Sequence, residues 1–177
     1  MKVTRWEDDR QVGGTDQSQG QRLLRLSRTV PGSAQYLEEV FERVKQTSVR
    51  FDGSGDALVQ TTWKQYAEGT PLLGLWVAVD TAGVLVGHAL GDIQLWSGRT
   101  GAWITQVVMD EHADAGLRDQ FLTECTLWVQ QVNEWAKSHQ QTWQVSEVIM
   151  MSPRMTDAWA RHAGFDEYRR VYRRIVR

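Results

Sequence analysis

A mixed α/β (α+β) fold, one sheet flanked by four helices, follows from three features of this sequence. Leu72 to Val79 and Val84 to Trp96 are apolar runs joined by Asp80-Thr81-Ala82-Gly83, a turn composition that closes an antiparallel hairpin. A third run ends Val107-Val108-Met109 and breaks at Asp110. Past Gly116, Phe121, Cys125, Trp128, Val132 and Trp135 recur at steps of three and four, the spacing of one helical face. At 177 residues and 41% hydrophobic content, the chain has enough apolar mass for one globular domain with a sizeable core.

Taken in order, residues 1–21 read as a polar arm whose composition cannot offset its own ordering entropy. Such an arm is expected to lie on its own domain, on a protein partner or on a sister subunit. The domain proper is expected over residues 22–177. Leu23, Leu24 and Leu26 give a first strand; Pro31-Gly32-Ser33 turns the chain, with Ser33 as the N-cap of a helix carrying Leu37, Val40, Phe41 and Val44. Asp56 is expected to cap a second helix, through Val59, Trp63 and Tyr66, that stops near Gly69-Thr70-Pro71. Three strands follow, the second and third joined by a turn over Ser97 to Gly101. After the long helix comes a strand over Trp143 to Met151, then a short helix opened by Pro153 and ended at Gly164-Phe165. Glu167 to Arg177 closes the chain as a last strand.

Several function classes lose support at this level. A formal net charge of −2 gives no global attraction to nucleic acid or acidic membrane. The lone Cys125 cannot form an internal disulfide and sits on the apolar face of the long helix, where a small buried hydrophobe is the expected role. No apolar run reaches membrane-spanning length and the N-terminus lacks a signal-peptide core, so a cytoplasmic protein is expected. Nine tryptophans are more than a core of this size needs, which points some of them to an interaction surface.

The order strand, two helices, three-strand meander, long helix, strand, short helix, strand resembles the GNAT superfamily of N-acetyltransferases. The strand–loop–helix around Asp110 to Arg118 and the AWARHAGF segment carry the local likeness. The resemblance implies a mixed central sheet of about six to seven strands with splayed middle strands. It also implies acetyl-CoA in the gap, its pyrophosphate on the loop before the long helix. The cofactor contacts it implies fall on Val108, Gly116, Leu117 and Arg118. A strand feeding a helix N-terminus suits an anion, because free backbone N–H groups and the helix dipole point at the loop.

This copy departs from the family pattern of Arg or Gln, two residues, Gly, one residue, Gly or Ala. Over Ala113-Asp114-Ala115-Gly116-Leu117-Arg118 only Gly116 matches. Asp114 is placed to cap the long helix and to occupy the positive end that a pyrophosphate needs. The positions that hold an Asn and the proton-donating Tyr in the family are Pro153 and Ala160, and alanine donates no proton.

Other candidate chemistry is sparse. His88 and Glu147 are the candidate bases toward an amine; a satisfied core or edge histidine and a cross-strand partner for an arginine are their structural readings. Asp110, Glu111 and His112 are adjacent in one loop and lack metal-ligand spacing, so no metal is expected. Arg169, Arg170, Arg173, Arg174 and Arg177 interleave with Val171, Tyr172 and Ile175 near the C-terminus. That pattern suits a charge-protected edge strand, with nucleic-acid contact as the alternative.

Together these readings favour a non-catalytic binding or assembly protein on a GNAT-like fold, with no cofactor. Bacteriophage virions contain structural proteins that resemble this fold, which suggests a virion component. The alternative is an acetyl-CoA-dependent N-acetyltransferase with an atypical pyrophosphate loop.

Overall fold

The computed structural model describes residues 20–51, 55–96 and 98–150. Five strands form one sheet in sequence order: β1 (Arg22–Arg25), β2 (Leu73–Val79), β3 (Leu85–Trp96), β4 (Arg99–Met109) and β5 (Val145–Met150). The first three pairings are antiparallel and β4–β5 is parallel. Antiparallel neighbours need only tight turns, whereas a parallel pair needs a crossover. That crossover contains the long helix α3 (Gly116–Ser138), while α1 (Leu37–Phe51) and α2 (Gly55–Glu68) lie between β1 and β2.

Two cores result, one on each face of the sheet. Period-two alternation sends Leu75, Val77 and Val79 of β2 toward α1, against Val40, Phe41 and Val44. Trp76 points the other way, into a cluster with Phe121, Cys125, Trp128 and Val132 of α3. With helices on both faces, every residue of β2 is buried, which explains its unbroken apolar composition.

Within α3 the expected face holds at Phe121, Cys125, Trp128 and Val132, but Trp135 gives way to Ala136 as the last buried position. Trp135 stacks at the margin on His139, with ring centroids 4.4 Å apart, and leans on Trp143. Asn133 ties α3 to the next strand: its Nδ2 donates to Val145 O at 2.9 Å and its Oδ1 accepts from Val145 N at 2.7 Å.

Among the described residues there are five strands and three α-helices, fewer strands than the six to seven expected. The short helix from Pro153 and the last strand from Glu167 lie outside the described residues. Pairing of β4 with β5 runs from Thr100↔Val145 to Ile104↔Met150, with a register shift between Thr100 and Ala102.

Three local expectations change. The β3–β4 turn is shorter than the expected Ser97 to Gly101, because Trp96 pairs directly with Arg99, and Gly98 supplies the left-handed φ of 77°. Ser33 caps no helix; it begins a 3₁₀ turn (Ser33–Tyr36) preceded by Gly32, and its Oγ accepts from Ser27 N. Asp56 lies inside the first turn of α2, one residue past its start, and its carboxylate meets Lys45 Nζ at 2.7 Å. The Asp80 turn stands as expected, with Asp80 Oδ1 accepting from Ala82 N and Val84 N.

Candidate functional site

The loop between β4 and α3 is held at its root by Asp110. Its N–H donates to Val86 O at 2.8 Å, and its two carboxylate oxygens accept from Arg43 Nη1 at 3.1 and 3.2 Å. Arg43 belongs to α1 and also donates to Leu85 O and Glu39, so one guanidinium joins helix, sheet and loop. Charge-assisted pairing of this kind fixes geometry as well as adding energy.

Past Asp110 five amides are consumed by the protein itself. Ala113 N donates to Asp110 O at 3.0 Å and Asp114 N to Gln21 Oε1 at 2.6 Å. Gln21 completes the bridge by donating from Nε2 to His112 O at 2.9 Å. Gly116 N donates to Asp114 Oδ1 at 2.8 Å, Leu117 N to Asp114 O and Arg118 N to Ala115 O. An anion held at a helix N-terminus needs such donors free and pointing at it. Here Ala113, Asp114, Gly116, Leu117 and Arg118 spend theirs on the protein itself.

Asp114 is the capping residue in chemical terms. Ala115 already has helical angles, φ −58° and ψ −31°, and the Asp114 carboxylate reaches over it to the second amide beyond. Gly116 carries no left-handed φ, and a Cβ there would meet nothing closer than Asp114 Oδ1 at 3.5 Å. The backbone therefore does not require glycine at the one position that matches the family pattern. Asp114→Ala is expected to lower stability by about 0.5 to 2 kcal/mol, the usual cost of a lost N-cap, and the midpoint by a few degrees. Thermal denaturation of the two proteins checks this.

The sequence-predicted cofactor contacts fall where the strand–loop–helix places them, but their side chains do other work. Leu117, in the first turn of α3, is fully buried. Arg118 turns to its neighbour, Nε lying 3.2 Å from Asp119 Oδ1. Val108 lies in register with His88 on β3.

The candidate bases do not converge. His88 is wholly enclosed on the α1 face, with Nε2 3.1 Å from Gln106 Oε1, and burial pushes its pKa down to about 4. The ring is enclosed, with one nitrogen beside Gln106 and the other without a partner among the described residues. Glu147 is half-buried on β5, beside the Gly101–Ala102 end of β4. Its separation from the His88–Val108 pair along the sheet is roughly 20 Å at the usual strand rise. Cys125 is buried and its thiol is pushed up to about 12, first by desolvation, so it is no nucleophile at neutral pH.

Among the described residues, no group of three His, Cys, Asp or Glu side chains is placed to hold a metal, and no helix is long and apolar enough to cross a membrane. An open groove of about 820 Å³ lies at the other end of β4, bordered by Ile93, Gln94, Arg99 and Trp143. It contains none of the sequence-predicted site residues. Pro153, Ala160 and the arginines from Arg169 to Arg177 lie outside the described residues, as does the arm up to residue 19.

Sequence reasoning missed Gln21 and Arg43. Both act across long separations, Gln21 on residues more than 90 positions away and Arg43 on a residue 67 away, and no local pattern marks either.

No protein-family model and no curated sequence matches the chain. Solved structures do match at the level of fold. Glucosamine-6-phosphate N-acetyltransferase from Arabidopsis thaliana is 11% identical, with 88% of this chain and 97% of that one covered and a TM-score of 0.53. An aminoglycoside acetyltransferase from an uncultured soil metagenomic sample is 12% identical, with 89% and 97% covered and a TM-score of 0.52. A transcriptional regulator from Bacillus halodurans C-125 is 13% identical, with 88% and 99% covered and a TM-score of 0.52. The fold is GNAT-like. At these identities the likeness concerns the fold alone.

Proposed function

We propose that this GNAT-fold chain is a binding or assembly module that does not transfer acetyl groups. One observation carries the reading: at the loop that would face a pyrophosphate, the amides of Ala113, Asp114, Gly116, Leu117 and Arg118 are engaged by Gln21, Asp114 and the loop's own carbonyls. The Asp114 carboxylate also adds a negative charge where a phosphate would sit. Two like charges a few ångströms apart disfavour each other by roughly 1 to 4 kcal/mol across the range of local dielectric. Pro153 and Ala160, where the family places an Asn and a proton-donating Tyr, support the same conclusion from the sequence. The partner in this reading is a protein or a sister subunit met through the polar arm, residues 1–21, and a bacteriophage particle is the setting.

An acetyl-CoA-dependent N-acetyltransferase is the second reading, favoured by the acetyltransferases among the structural neighbours. In that case Glu147, half-buried and not sealed, is the better of the two candidate bases. Calorimetric titration with acetyl-CoA separates the readings. The expected result is no saturable heat up to millimolar cofactor; low-micromolar binding would overturn the proposal and put the enzyme first.

A further inference from the structure

The two cores differ in one respect: the layer under α1 contains a buried imidazole. His88 stands mid-strand on that face with none of its surface accessible. Gln106 Oε1 lies 3.1 Å from His88 Nε2, and Gln106 Nε2 donates to Val44 O of α1 at 3.3 Å. This row runs from β3 through β4 to the helix main chain. His88 Nδ1 has no hydrogen-bond partner among the described residues. A neutral ring suits the site: Nε2–H donates to Gln106 and Nδ1 stays bare. An imidazolium would carry a second N–H into an aliphatic layer with nothing to accept it, and an unpaired buried donor is costly.

The surrounding charges do not relieve this. Arg43 of α1 disfavours the charged ring and Asp110 favours it, but Asp110 is already engaged by Arg43 on both oxygens. Glu39, the other acid on Arg43, lies exposed on the outer side of α1.

We propose that His88 is an acid-sensitive lock whose protonation releases α1 and α2 from the sheet while α3 and its aromatic cluster stay in place. The sheet keeps the two layers in separate clusters, so one can open without the other. Lys45–Asp56 couples α2 to α1, and the ties of α3 to Val145 and Pro71 do not pass through His88.

Burial lowers the ring's pKa from 6.5 to about 4, so the closed state binds fewer protons than the released one. Closure is therefore fully favoured above about pH 6.5 and weakens as pH falls toward 4. Between pH 7.5 and pH 5 the opening equilibrium should shift by roughly thirtyfold.

Amide hydrogen exchange, corrected for intrinsic rates, tests this on the full chain. The expected result is a roughly thirtyfold loss of protection in α1 at pH 5, unchanged protection in α3, and no such response in His88→Gln. Unchanged protection in α1, or joint loss in α1 and α3, overturns the proposal. So does a His88→Gln variant that keeps the response. Should that variant fail to fold, an NMR titration of the wild-type ring decides, because a folded-state value at or above 6.5 removes the lock.

Discussion

Trp128→Ala is expected to cost about 3 to 5 kcal/mol, the range for emptying a large aromatic site in a core that relaxes only in part. Trp128 is fully buried, packs edge-on to Trp76 with centroids 5.2 Å apart, and donates from Nε1 to Pro71 O at 2.6 Å. Trp76 also meets Phe121 edge-on at 5.4 Å, so the three rings brace each other. Most of the loss should come from the cavity. Pro71 O retains a second donor, Arg25 Nη2 at 3.4 Å, so the lost hydrogen bond contributes the smaller share. In a domain of this size the midpoint should fall on the order of 10 °C. Trp63→Ala is the contrast, since that ring is half exposed and its removal should move the midpoint far less. Urea denaturation followed by near-ultraviolet circular dichroism measures both. A loss under about 1 kcal/mol for Trp128→Ala would show that the cluster does not hold α3 to the sheet.

Gly91→Ala is expected to cost about 1 to 3 kcal/mol through overpacking, although alanine is the smallest possible addition. A Cβ there would lie 2.8 Å from Trp103 O, 2.8 Å from Ile104 Cδ1 and 3.3 Å from Trp128 Cη2. One of those atoms is backbone, so no rotamer change relieves the clash. Gly74 faces Gly91 across β2 and β3 and is equally closed, its Cβ position 2.4 Å from Trp76 Cη2. Neither glycine has a left-handed φ, so space and not conformation selects them. Gly98→Ala tests the opposite case, a φ of 77° with nothing within 4 Å, where only backbone strain of about 1 kcal/mol should appear. Equal midpoints for Gly91→Ala and the wild type would mean that the rings shift freely.

Much of the architecture was legible in local pattern. The 3.6-residue spacing through Phe121, Cys125, Trp128 and Val132 located α3 and its buried face, because each helical turn presents the same side to the sheet. Asp80-Gly83 marked the hairpin, since a side-chain acceptor and a glycine meet the turn's needs within four residues. Asp114 was legible as a cap for the same reason: its partner, Gly116 N, is two residues away.

What lay beyond the sequence depends on which distant residues meet. The fate of the β4–α3 loop is set by Gln21, which no spacing rule ties to Asp114, and by Arg43 reaching from α1 to Asp110. His88 read as a candidate base until the packing of α1 over β3 enclosed it, since exposure is a property of the assembled layers and not of VGHALGD. Gly74 and Gly91 carry no signal of their own; they matter because strand register sets them opposite each other under two tryptophan rings. Composition and period fix short-range geometry, where the chain itself holds partners close. Side chains separated by tens of residues acquire roles only when the sheet brings them together.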